Sequence, residues 1–152
     1  MTARSAQPPR ACTNFRLRQL TRRVTQFYDA EMGKTGLKTT QYSLLSHVLK
    51  LGPVRPGELA RAMTMDASTL TRNLKPLVDA GWVAVTAGPD ARSRTITITP
   101  AGRALREAAR SDWQRAQKGL EARLGPDRVI ALHSLIDQSL ALLDAPPEGE
   151  TE

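Results

Sequence analysis

The chain has 152 residues, a net charge of +7, a sequence pI near 10.3, and only 4% aromatic side chains. That length suits one domain whose core rests on Leu, Val, Ile, Ala and Met, and the basic balance favours an anionic partner such as nucleic acid. One cysteine excludes an intrachain disulfide, one Cys with two His argues against a zinc site, and no apolar run approaches the ~20 residues of a membrane span.

The charge is unevenly spread. Residues 1–50 carry +7, residues 51–103 carry +3 and residues 104–152 carry −3, so the last third is not expected to face phosphate. The N-terminus has no apolar signal core, which gives the expectation of a cytoplasmic protein.

Residues 1–11, with Pro8-Pro9, read as a flexible tail. A first helix over about 12–33 follows, with Phe15, Leu17, Leu20, Val24, Phe27 and Tyr28 at three- and four-residue steps, and Gly33 and Gly36 end it. Thr39 or Thr40 starts a second helix to about Lys50, with Tyr42, Leu45, Val48 and Leu49 inward, and Gly52-Pro53 stops it. Val54-Arg55 reads as a short strand. Pro56 fits the first turn of a third helix, where its missing N–H is not needed.

Thr64-Met65 form a turn, and Asp66 or Thr64 caps a fourth helix that Gly81 closes. Trp82–Ala87 and Arg94–Thr99 alternate as two strands around the turn signal Gly88-Pro89-Asp90. A fifth helix starts at Pro100 and a sixth spans about 127–143, separated by Gly125-Pro126. The acidic, Pro-containing end, 145–152, is expected to be disordered. The fold class is thus mainly α with a small β-hairpin wing: a winged helix-turn-helix over about 40–99 inside a single domain over 12–144. The helices over about 12–33 and 100–143 flank that segment.

The fourth helix has two faces. Leu70, Leu74, Leu77 and Val78 fall at i, i+4, i+7 and i+8 and face inward, while Ser68, Thr71, Arg72 and Lys75 lie opposite with Thr69 at the edge. Short hydroxyls allow close approach to a groove floor, arginine can pair with guanine O6 and N7, and lysine can take phosphate or guanine. An ordinary solvated face would look alike, but the preceding turn and the basic hairpin favour DNA. On the wing, Asp90, Arg92 and Arg94 recur at two-residue steps, so Asp90 is positioned to hold an arginine that enters a minor groove.

The runs Gly57-Glu58-Leu59-Ala60, Met65-Asp66-Ala67-Ser68-Thr69-Leu70-Thr71-Arg72, Gly81-Trp82-Val83, Asp90-Ala91-Arg92 and Thr99-Pro100-Ala101-Gly102 resemble the MarR family of bacterial regulators, over about residues 12–143. The resemblance implies a homodimer joined through the first, fifth and sixth helices. It implies a reader of pseudopalindromic double-stranded DNA, commonly a repressor, released by a small molecule or an oxidant. Family members often carry two basic residues after the wing Asp. Here Ala91 takes one of those places, and Arg94 is left to supply the charge.

Effector candidates are Tyr28, Tyr42 and His47, with a small aromatic or lipophilic carboxylate as the family-level ligand. Cys12 opens the first helix near the position of a peroxide-sensing thiol. Counted from Tyr28 and Tyr42, however, that position falls on Asn14, and a second sensor tyrosine position falls on Arg18. Redox sensing through Cys12 is therefore an alternative, as is non-specific DNA packaging. No nucleophile–base pair, metal spacing or phosphate loop suggests an enzyme, and no cofactor is expected.

Overall fold

A computed structural model describes residues 11–90 and 92–145. The expected tails over 1–11 and 145–152 lie almost wholly outside the described residues, as does Ala91. The elements in chain order are α1 (Thr13–Met32), a 3-10 turn (Gly33–Thr35), α2 (Thr39–Leu51), α3 (Pro56–Ala62), α4 (Ala67–Asp79), β1 (Val83–Ala87), β2 (Arg94–Ile98), α5 (Pro100–Leu124) and α6 (Pro126–Asp144). The chain divides into two compact units within α5, after Ala116.

Three helices, α3, α5 and α6, begin on a proline, where a fixed φ is preorganised and no donor is lost. The two strands pair antiparallel, with Val83 opposite Ile98 and Val85 opposite Ile96. The short strand expected at Val54 appears as a single bridge to Ile96, made by two backbone hydrogen bonds of 2.8 and 3.0 Å. Val83 and Ile96 are buried by that arrangement.

The core of the first unit gathers Leu37, Leu45 and Val48 around α2, Leu59 from α3, and Leu70, Leu74 and Leu77 from α4. Each fully buried Leu stabilises by about 1.5–3 kcal/mol relative to exposure, which fixes the inner face of α4 and leaves its other face outward. Val78, expected inside, is 37% exposed. It lies at the edge of the stripe, where α4 gives way to its C-cap at Ala80.

The turn between α3 and α4 places Thr64 at φ 53°, a left-handed conformation uncommon for a β-branched residue. The tight reversal is held by Met65 N donating to Ala60 O at 2.8 Å and Thr64 N donating to Arg61 O at 3.1 Å.

The apolar stripe of α1 is not covered within the chain over its first half: Phe15, Leu17 and Leu20 are exposed. Taken by itself, α6 buries no residue, and Ile130, Leu135, Ile136, Leu140, Leu142 and Leu143 are all exposed. Among the described residues no helix is long and apolar enough to cross a membrane.

Candidate nucleic-acid interface

Asp66 starts α4. Its carboxylate accepts from Thr69 N at 2.7 Å and from Ser68 Oγ at 2.8 Å. The backbone bond from Thr69, then the Ser68 hydroxyl, hold its carboxyl down to about 2. Ser68 and Thr69 are thereby placed on the first turn. Thr71 Oγ1 donates to Ala67 O at 2.9 Å, and Arg72 Nη2 donates to Thr69 Oγ1 at 3.4 Å. Lys75 reaches the other way and pairs with Asp79 at 2.8 Å. Ser68, Thr71, Arg72 and Lys75 are exposed and Thr69 is half-buried, so all five sit where the periodicity puts them. The helix runs unbroken through Pro76.

Asp79 escaped the sequence reading, although its i, i+4 spacing from Lys75 carries the signal. So did Asn73, whose Nδ2 donates to Met65 Sδ at 3.7 Å across the turn.

On the hairpin, Arg92 and Arg94 are exposed, as is Asp90. The expected grip of Asp90 on these arginines is not what shapes the tip: among the described residues no ion pair joins them. Ser93 organises the turn instead. Its Oγ accepts from Asp90 N at 3.2 Å and lies 3.1 Å from Asp90 O, to which it donates, while Ser93 N also donates to that carbonyl at 3.0 Å. Gly88 N donates to Ser93 O at 2.7 Å, and a Cβ on Gly88 would strike the Ser93 hydroxyl. The backbone, rather than a side-chain ion pair, aims the arginines.

Thr99 ties the hairpin and α4 to α5. Its Oγ1 donates to Gly81 O at 2.6 Å and accepts from Gly102 N at 3.0 Å, and its own N–H donates to Trp82 O at 3.0 Å. A Cβ on Gly102 would run into the Trp82 carbonyl, so the Thr-Pro-x-Gly run is a close backbone approach as well as a cap.

The effector candidates separate. Tyr42 is buried, stacked on Trp113 at 5.6 Å between ring centroids, with the Arg106 guanidinium 5.3 Å from its own ring centre. Arg106 Nε also donates to Ser46 Oγ at 3.1 Å. His47 is half-buried and its Nδ1 donates to Ser43 O at 2.8 Å on its own helix. Tyr28 is half-buried on α1. Cys12 is exposed at the N-cap of α1 and makes no capping hydrogen bond through its side chain. Asp112, unremarked in the sequence, is buried on α5 and joined to Arg115 at 2.9 Å, which also reaches Glu31 of α1 at 3.5 Å.

The MarR family model matches residues 35–93, the stretch from the last residue of the 3-10 turn through the hairpin tip. The HTH-type transcriptional regulator YwoH of Bacillus subtilis is 28% identical over 83 residues, which is 55% of this chain and 61% of that one. The chain thus spans about three-fifths of that relative's length. The crystal structure of the Mycobacterium tuberculosis transcriptional regulator MosR in complex with DNA is 31% identical. It covers 89% of this chain and 100% of its own, with a TM-score of 0.74. Bordetella bronchiseptica BpsR, whose structure concerns regulation of its DNA binding by 6-hydroxynicotinic acid, shares the fold. Its TM-score is 0.75 at 22% identity, and the match covers 96% of this chain and 99% of that one. With the helix-turn-helix, the hairpin and a relative matched over its whole length, the chain belongs to the MarR family of transcriptional regulators.

Proposed function

We propose that the chain is a sequence-specific double-stranded DNA-binding regulator that acts as a ligand-responsive homodimeric repressor in the cytoplasm. The observation that carries this is the exposed polar face of α4 beside the exposed arginines of the hairpin. Ser68, Thr69, Thr71, Arg72 and Lys75 are turned outward by the burial of Leu70, Leu74 and Leu77. In this reading α4 enters a major groove and Arg92 and Arg94 reach the neighbouring minor groove. The MosR complex with DNA supports it at 31% identity.

In this reading a second copy covers the exposed apolar side chains of α1 and, separately, those of α6, because large apolar side chains left exposed in numbers mark an association site. One domain over 12–144, with the winged helix-turn-helix over about 40–99, then presents two copies of α4 to a pseudopalindrome. A small aromatic carboxylate suits the Tyr42–Trp113–Arg106 cluster, which offers stacked rings and a guanidinium. Its binding shifts the population between dimer shapes with different α4 spacing. BpsR supports ligand control within the shared fold. No observation favours the redox alternative through Cys12.

Selection from a random-sequence duplex pool, followed by anisotropy titration, tests the proposal. A consensus should emerge, Arg72→Ala should weaken it about 10-fold and relax base preference at one position, and Arg92→Ala should weaken selected and random duplexes alike. Equal affinity of the wild-type chain for selected and random duplexes would point to DNA packaging instead.

A further inference from the structure

Two hydroxyls on the outward face of α4 spend their protons inside the chain. Ser68 Oγ donates to Asp66 Oδ1 at 2.8 Å, and Asp66, its carboxyl held down to about 2, is a carboxylate that only accepts. Thr71 Oγ1 donates to Ala67 O at 2.9 Å, and a carbonyl also only accepts. A hydroxyl has one proton and two lone pairs, so both groups are left with lone pairs alone to offer outward. Both side chains are exposed, and three residues apart on a helix they are neighbours on one face. We infer that Ser68 and Thr71 are fixed acceptors that select bases carrying an exocyclic amino group on the major-groove edge, the N6 of adenine or the N4 of cytosine. This rests on the DNA-binding reading above and sharpens it.

The two bonds differ in kind and agree in direction. The Ser68 bond is charge-assisted, and turning its proton outward takes a partner from the Asp66 carboxylate. The Thr71 bond ties its hydroxyl to the helix carbonyl one turn earlier. Donating to guanine O6 or thymine O4 breaks one of these bonds, whereas accepting from an amino group breaks neither. The donors of the face lie further along. Thr69 is half-buried at the edge, and its Oγ1 accepts from Arg72 Nη2 at 3.4 Å. Arg72 keeps its other guanidinium protons for acceptors such as guanine O6 and N7, and Lys75 is held by Asp79.

Acceptors and donors are thus laid out along the helix. From Ser68 to Lys75 the axis rises about 10 Å, or about three base-pair steps. A half-site read this way has a base required for its amino group within about three base pairs of one required for its acceptors. The sequence names the hydroxyls and leaves their polarity open, because polarity is set by the neighbouring Asp66 side chain and by a backbone carbonyl.

The test uses the full chain and the selected duplex. In both half-sites the amino group is deleted one position at a time, with purine for adenine and 2-pyrimidinone for cytosine, which also tells the two bases apart. The N7 acceptor is deleted separately with 7-deazapurines. Anisotropy titrations compare the wild-type chain with Ser68→Ala and Thr71→Val. Amino deletion at one or two positions should weaken wild-type binding about 5-fold. In the matching variant the same deletion should cost less than twofold, while the 7-deaza costs keep their wild-type size and melting temperatures are unchanged. Asp66→Gly frees the Ser68 proton at little cost to the helix start. It should shrink the amino-group discrimination at the Ser68 position, whereas a merely weakened helix lowers affinity for all duplexes alike. If a 7-deaza cost is what vanishes in Ser68→Ala or Thr71→Val, the hydroxyls donate to the base and the inference is overturned. It is overturned too if no amino deletion matters while Arg72→Ala still relaxes one position, an outcome that leaves the DNA reading standing. Equal wild-type affinity for selected and random duplexes removes both.

Discussion

Helices α4 and α6 both carry regularly recurring leucines and meet opposite fates, although α4 is sharply two-faced and α6 far less so. In α4 the stripe of Leu70, Leu74 and Leu77 is buried against its own chain, whereas in α6 every large apolar side chain from Ile130 to Leu143 is at most half-buried and none is fully buried. Periodicity tells which face of a helix is apolar and is silent on what covers it. In α4 the covering comes from α2, α3 and the hairpin, and the opposite face is released for function. In α6 the apolar side chains stay exposed, and in the proposed dimer they are what a second copy of the chain covers.

This contrast is sharpest under substitution. Ile136→Asp with Leu140→Asp on α6 should leave a folded monomer in analytical ultracentrifugation. DNA affinity should fall on the order of 100-fold, because two linked half-site contacts become one. Leu77→Ala on α4 should instead destabilise by about 3 kcal/mol at every protein concentration, since it opens a cavity in a filled core. Denaturant titrations at two concentrations separate the two cases; a concentration-independent loss from the α6 pair would break the comparison.

Gly102→Ala tests the tie between α4 and α5. The added Cβ meets the backbone carbonyl of Trp82, so the variant should lose roughly 2 kcal/mol, read by urea unfolding, despite alanine's better helix propensity.

Asp66 gives a pH signature. Its carboxyl is lowered in the folded chain from 3.8 to about 2 by the bonds from Thr69 and Ser68. A lowered carboxyl adds stability above its unfolded value, and that stability is lost as pH falls through the range from about 4 to 2. Asp66→Asn, which keeps a cap without the charge, should flatten that part of the stability–pH profile relative to the wild-type chain.

The smallest effect is expected at Asp79. Asp79→Asn removes the carboxylate that occupies Lys75 and should raise affinity for random duplex about threefold, reducing the ratio of selected to random binding. An unchanged ratio would show that Lys75 makes no use of its freedom.

Much of the scaffold was legible because its signals are local. Pro56 and Pro100 mark helix starts, Gly81 has the positive φ of 77° that a helix-ending glycine supplies, and Ser68 to Lys75 separate from Leu70 to Leu77 by simple periodicity. The features that stayed hidden are those made between distant residues or by backbone geometry. Tyr42 finds Trp113, and Arg106 finds Ser46 across 60 positions, by packing that no window along the chain contains. At the wing the spacing of Asp90, Arg92 and Arg94 suggested an ion pair. The tip is set by Ser93 closing the turn on Asp90, a contest that short-range hydrogen bonds to backbone win over an exposed charge pair.

In the proposed complex two α4 helices of one dimer read DNA while their wings flank them. Hydroxyl-radical footprinting on a selected duplex tests it most directly. Two protected patches related by a two-fold axis are expected, centred about 10 base pairs apart or a multiple of that, with weaker outer protections that disappear in Arg92→Ala. One asymmetric patch, or uniform protection without a repeat, would contradict it.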